Sequence, residues 1–117
     1  MSNLSQFTGG LLKFNTSQRI HNPETSTQSA AFQSDTVAIA IGGRTNESTQ
    51  RTLHFSIGSN PTATANDPVI PNVASDGVSS AGLGGAYLVL GVDAGDKIAC
   101  IRSGGNSVTA YIIELKY

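Results

Sequence analysis

The chain has 117 residues, a formal net charge of -1 and only 13% charged residues, while Ser, Thr, Asn and Gln make up about a third of it. This length fits one domain with a core of its own. The seven Lys and Arg residues are scattered and leave no electrostatic footprint for nucleic acid, and no apolar window approaches the length of a bilayer crossing.

Residues 1 to 10 are polar and punctuated by Gly9-Gly10, which reads as an N-terminal arm before a single domain over residues 11 to 117. No basic stretch leads into an apolar one, so no secretory signal is expected. The Asn-x-Ser/Thr sequons at Asn3, Asn15 and Asn46 then reflect composition, and synthesis in the cytoplasm is expected. Leu12 and Phe14 alternate with Lys13 and Asn15 as in a short strand. The polar stretch 15 to 35 is either a functional loop or strand pairing at a sheet edge. From Thr36 to Ile41, Val37, Ile39 and Ile41 share one strand face and Ala38 and Ala40 the other, with Gly42-Gly43 expected to end the strand. Leu53, Phe55 and Ile57 give the inward face of the next strand.

Residues 58 to 85 form a long connection with Val69, Ile70, Val73, Val78 and Leu83 as apolar anchors. Three apolar runs follow, at 86 to 90, 97 to 101 and 108 to 115. Turns at Asp93–Asp96 and Ser103–Asn106, of hairpin length, predict a three-stranded antiparallel meander. With no capped 3.6-residue periodicity, the fold class is all-β, an antiparallel β-sandwich of jelly-roll type with a polar N-terminal arm. The closing strand is apolar on both faces: Tyr111, Ile113 and Leu115 on one, Val108, Ala110 and Ile112 on the other. A sandwich strand needs one buried face, so Val108, Ala110 and Ile112 are read, with Ala38, Ala40 and Tyr117, as a subunit interface.

Residues able to carry chemistry are few. Cys100 lies in an apolar run and reads as a buried small hydrophobe. His21 and His54 have no metal-ligand spacing around them, and Asp93 and Asp96 bracket what reads as a backbone turn rather than a calcium loop. No Ser sits in a nucleophile elbow, and Gly82-Leu-Gly-Gly85 lacks the Lys-Ser/Thr of a phosphate loop. A convergent carboxylate pair stays open among eight acidic residues, but no catalytic residue, metal or cofactor is expected. Tyr87 and Tyr111 fall in apolar strands and are read as core, which leaves Tyr117 as the free ring.

Ile57-Gly-Ser-Asn-Pro-Thr-Ala-Thr-Ala65, Pro68-Val-Ile-Pro71 and Gly95-Asp-Lys-Ile-Ala-Cys-Ile101 together resemble a family of small tailed-bacteriophage virion proteins. The resemblance spans about the last two thirds of the chain. It implies a non-enzymatic jelly-roll subunit, foremost a capsid decoration or cement protein that stabilises the major capsid protein shell as a homotrimer in the virion. On that reading Leu4 and Phe7 in the N-terminal arm are capsid-binding residues. The alternatives are a tail or head-fibre component and a module that binds a host-surface glycan.

Overall fold

Period-two alternation of β-branched and aromatic residues against small polar ones builds strands throughout the chain. The computed structural model describes residues 12–46, 51–70, 73–75, 87–105 and 107–117. It contains β1 (Lys13–His21), β2 (Thr27–Gln28), β3 (Ala38–Thr45), β4 (Thr52–Gly58), β5 (Ala74–Ser75), β6 (Leu88–Gly91), β7 (Lys97–Ser103) and β8 (Val108–Lys116). No helix occurs among the described residues. Leu4 and Phe7 lie outside them, as do Val78 and Leu83.

Two sheets pack together. In the larger, β1 pairs with β8, β8 with β3, and β3 with β6 at Ala38–Ile41, all antiparallel. The two-residue β5 extends the same edge of β3 in parallel, at Arg44 and Thr45. The smaller sheet runs β2-β7-β4, also antiparallel. Beyond β4, Val69 bridges His54, and the backbone bonds Phe55 N–H to Pro68 O at 2.9 Å and Ile70 N–H to Leu53 O at 2.8 Å stitch residues 68 to 70 onto its free edge.

The polar stretch 15 to 35 thus resolves largely into an edge strand. All of β1 lies along β8, from Lys13 opposite Lys116 to His21 opposite Thr109, with a register shift between Phe14 and Thr16. The expected C-terminal meander is overturned. β6 belongs to the large sheet, β7 to the small one and β8 to the large one again, so each short turn is a corner between layers rather than a hairpin. Local backbone geometry makes the corners tight: Gly95 has φ 86°, and Gly104, Gly105 and Ser107 have φ 77°, 74° and 58°. The Gly95 N–H also donates to Phe32 O at 3.0 Å, tying the first corner to the segment ahead of β3.

The core lies between the sheets. Ile39, Ile41, Val108, Ala110 and Ile112 of the large sheet meet Leu53, Phe55, Ile98 and Cys100 of the small one, with Ile20, Phe32, Ile70 and Val73 closing the sides. Full burial of an Ile or Leu side chain contributes about 2 kcal/mol, so this cluster supplies the main cohesion of the domain.

Gly42-Gly43 does not end a strand; β3 runs through it. A Cβ on Gly43 would stand 2.8 Å from Leu53 Cδ1 and 3.0 Å from a Val73 methyl. One on Gly42 would stand 3.0 to 3.1 Å from three consecutive ring atoms of Tyr87. The pair makes room on both faces of the sheet, for the core on one side and a tyrosine ring on the other.

Candidate functional site

The register of the large sheet sorts its residues into two faces. Facing inward are Ile20, Ile39, Ile41, Leu88, Leu90, Val108, Ala110, Ile112 and Glu114; facing outward are Phe14, Ser17, Arg19, Ala38, Ala40, Val89, Tyr111, Ile113 and Leu115. Val108, Ala110 and Ile112, expected at a subunit interface, are therefore fully buried within the chain's own core. The outward apolar face of β8 is carried instead by Tyr111, Ile113 and Leu115, all partly exposed. Ala38 and Ala40 take the outward phase of β3, beside Leu115 and Ile113, with Ala38 buried and Ala40 partly exposed. Tyr117 follows the end of β8 and is 62% exposed.

This outer face has two ends of different character. At one, Phe14 (64% exposed), Leu115 and Ala38 lie in one row, and Ile113, Ala40 and Val89 (56% exposed) in the next. At the other, Arg19, Tyr111 and Gly42 are cross-strand neighbours, with the Tyr87 ring over Gly42. Near-equal distances from the Gly42 position to Cδ2, Cε2 and Cζ are those of a ring lying face down on the strand. Its other face points to solvent, and the residue is 52% exposed. Tyr87 and Tyr111 thus do not join the core, contrary to the sequence expectation. The glycine beneath Tyr87 was the available signal, because a glycine inside a strand marks a close approach.

A depression of about 450 Å³ opens here, lined by Ser17, Gln18, Arg19, Tyr87, Tyr111, Ile112 and Ile113. Beyond Tyr111 a smaller one of about 190 Å³ is bordered by His21, Arg44, Asn46 and Thr109. His21 Nδ1 is 2.9 Å from Thr109 Oγ1, which fixes its ring against the sheet. The Arg19 guanidinium has no ion pair or hydrogen bond among the described residues. None of the outward positions on β1, β3, β6 and β8 named above carries a carboxylate.

On the inner face one acid is buried. Glu114 is 2% exposed; its carboxylate accepts from Thr36 Oγ1 at 2.7 Å, Gln33 N–H at 2.9 Å and Gln18 Nε2 at 3.2 Å. Gln18 also clamps Ala30, donating to its carbonyl at 3.2 Å and accepting from its N–H at 2.9 Å. Among the described residues three donors and no basic partner meet the carboxylate, so it acts as a polar plug joining β1, β8 and the segment before β3.

The remaining sequence candidates are structural in their contacts. His54 lies on the outer side of β4, with Nδ1 2.9 Å from Asp67 O. Asp93 O accepts from Asp96 N–H at 3.2 Å within the corner turn. Cys100 is buried, and loss of solvation pushes its thiol from 9.0 to about 12. No cluster of His, Cys, Asp and Glu suited to a metal ion occurs among the described residues.

Comparison with known proteins finds no matching family model, no matching curated protein and no matching solved structure.

Proposed function

We propose that this chain is a non-enzymatic structural subunit of a tailed-phage virion, with a jelly-roll fold, and specifically a capsid decoration or cement protein. The jelly-roll reading draws on the pairing scheme. β1 pairs with β8, β2 with β7, β3 with β6, and β4 with residues 68 to 70. Such a nested set is one long antiparallel hairpin folded over itself, the plan of a jelly roll, and that architecture is common in viral coats. Fold alone assigns no role.

The observation that carries the function is the apolar end of the outer face, where Phe14 and Val89 stand exposed beside Ile113, Leu115, Ala38 and Ala40. No described segment covers it. A continuous apolar sheet face of this kind favours burial against another protein surface. In the proposed assembly, homotrimer contacts and contacts with the major capsid protein divide this face with Tyr117 and the N-terminal arm. Each copy bridges neighbouring shell subunits, and binding to the assembled shell stabilises it by mass action. No bond is made or broken.

Quantitative mass spectrometry of gradient-purified particles tests the reading. A copy number comparable with that of the major capsid protein is expected; a handful of copies moves the chain to the tail or a vertex, and absence from particles overturns a virion role. Light scattering of the isolated protein should give a trimer. Removing residues 1 to 10, with Leu4 and Phe7, should abolish particle binding and leave the fold intact, whereas loss of folding would sink the arm assignment.

A further inference from the structure

We propose that the tyrosine-lined depression on the outer face of the large sheet binds an acidic saccharide, one sugar ring stacked on Tyr87 and its carboxylate held by Arg19. The inference does not require the coat role, although the depression borders the apolar end of that face at Ser17 and Ile113.

Three features of the site combine. First, the Tyr87 ring lies flat on Gly42 and turns its free face to solvent. A flat aromatic platform matches the C–H face of a pyranose ring, which is apolar across its plane and polar around its rim. Second, Tyr111 is the cross-strand neighbour of both Gly42 and Arg19, so aromatic surface and guanidinium lie side by side on adjacent strands. Arg19 has no partner among the described residues, and its planar fork of donors suits a carboxylate. The outward residues around it on these strands offer no competing acid. Third, the depression has a volume of about 450 Å³, within the range of small-ligand sites. Ser17 adds a hydroxyl at the rim. The adjoining hollow beyond Tyr111, bordered by His21 and Asn46, extends the groove for a second sugar unit.

A nucleic-acid strand fits less well. Stacking alone would accept a base, but a phosphate chain needs a track of cations, and the chain carries net charge -1 with no basic run.

Titration calorimetry with the full chain tests the proposal, using an α2,8-linked sialic acid tetramer, a hyaluronan tetrasaccharide, neutral maltotetraose and a short oligothymidylate. The first two distinguish a sialic from a uronic acid. At least one acidic oligosaccharide should bind, with maltotetraose at least about tenfold weaker. Arg19→Gln should remove that preference. Tyr87→Ala should weaken binding at least about tenfold, and Tyr87→Leu, which keeps bulk but no π face, serves if alanine unsettles the fold. Gly42→Ala keeps both tyrosines and tips the Tyr87 ring off the strand, so it should also weaken binding. Ser56→Ala, on the other sheet, should change nothing. Failure of every saccharide to bind, tighter binding of the oligothymidylate, or affinity unmoved by Arg19→Gln and both Tyr87 variants overturns the assignment.

Discussion

Gly42 and Gly43 are consecutive in β3, yet they serve opposite faces of the large sheet, and those faces meet their surroundings differently. On the Gly43 side the apolar side chains pack into the core against the small sheet, and the buried Glu114 carboxylate is met by three donors. On the Gly42 side the sheet is apolar too, but Phe14, Val89 and Tyr87 remain more than half exposed. The small sheet contrasts with this: its outward positions on β4 are Thr52, His54 and Ser56, and the chain fastens a loop beside it through Gln28 Nε2 to Pro61 O at 2.8 Å and Ala63 N–H to Ser26 Oγ at 2.8 Å. A fold needs only its inner faces apolar. The outer face of the large sheet thus carries more apolar surface than the described sandwich buries.

Substitutions on the two faces separate these roles. The largest effect is expected for Glu114→Ala, which leaves the buried Thr36 hydroxyl and the part-buried Gln33 N–H without their acceptor. Stability to urea should fall by about 3 kcal/mol. Gly43→Ala places a methyl against Leu53 and Val73, closer than side-chain atoms normally approach, and should cost about 2 kcal/mol by the same measurement. Gly42→Ala, the same chemical change one residue earlier, displaces only a surface ring and should alter stability by less than about 0.5 kcal/mol. If the two glycine variants were equally destabilising, the contrast between the faces would fail.

Val89→Ser should leave monomer stability nearly unchanged and shift the proposed trimer toward monomer in light scattering. An unaltered oligomer would remove Val89 from the interface. The titration of Cys100 has no effect at neutral pH and enters only in alkali. Its folded thiol holds its proton more tightly than the unfolded one, so its contribution to stability is complete below pH 9.0 and declines as pH rises toward about 12. Cys100→Ala should lose less stability than the parent between pH 9 and pH 11, read from urea midpoints at each pH.

Much of the layered architecture was legible from alternation. The apolar pattern at 37 to 41, 53 to 57, 97 to 101 and 108 to 115 marks β3, β4, β7 and β8, and Gly104-Gly105 marks the break between the last two, whereas Gly42-Gly43 lies inside β3 instead of ending it. Strand partners were not legible, because a turn of a few residues serves equally as a hairpin or as a corner between sheets. The direction of β8 was equally hidden. It is apolar on both faces, and Glu114 shares its phase with Val108, Ala110 and Ile112, so the usual rule that a charge marks the solvent side points the wrong way. The donors that permit its burial come from residues 18, 33 and 36, far away in the chain. For the candidate site, Tyr87 and Tyr111 could be named from sequence but not placed outward. Arg19 and Gly42 become part of it only when β1 and β3 flank β8.

That arrangement also sets the order in which the molecule can be completed. β8 is the last of the described strands in chain order, yet it lies between β1 and β3 within the large sheet. As the chain leaves the ribosome, β1 and β3 are both present long before the strand that joins them, and each must wait with an unpaired edge. Closing β1 onto β8 brings together residues such as Lys13 and Lys116 from opposite ends of the chain. A topology so rich in distant pairings folds slowly. Linking the ends and opening the chain within the connection after β4 would make β8 and β1 neighbours in sequence, and such a permutant should fold faster than its parent while keeping the same pairing.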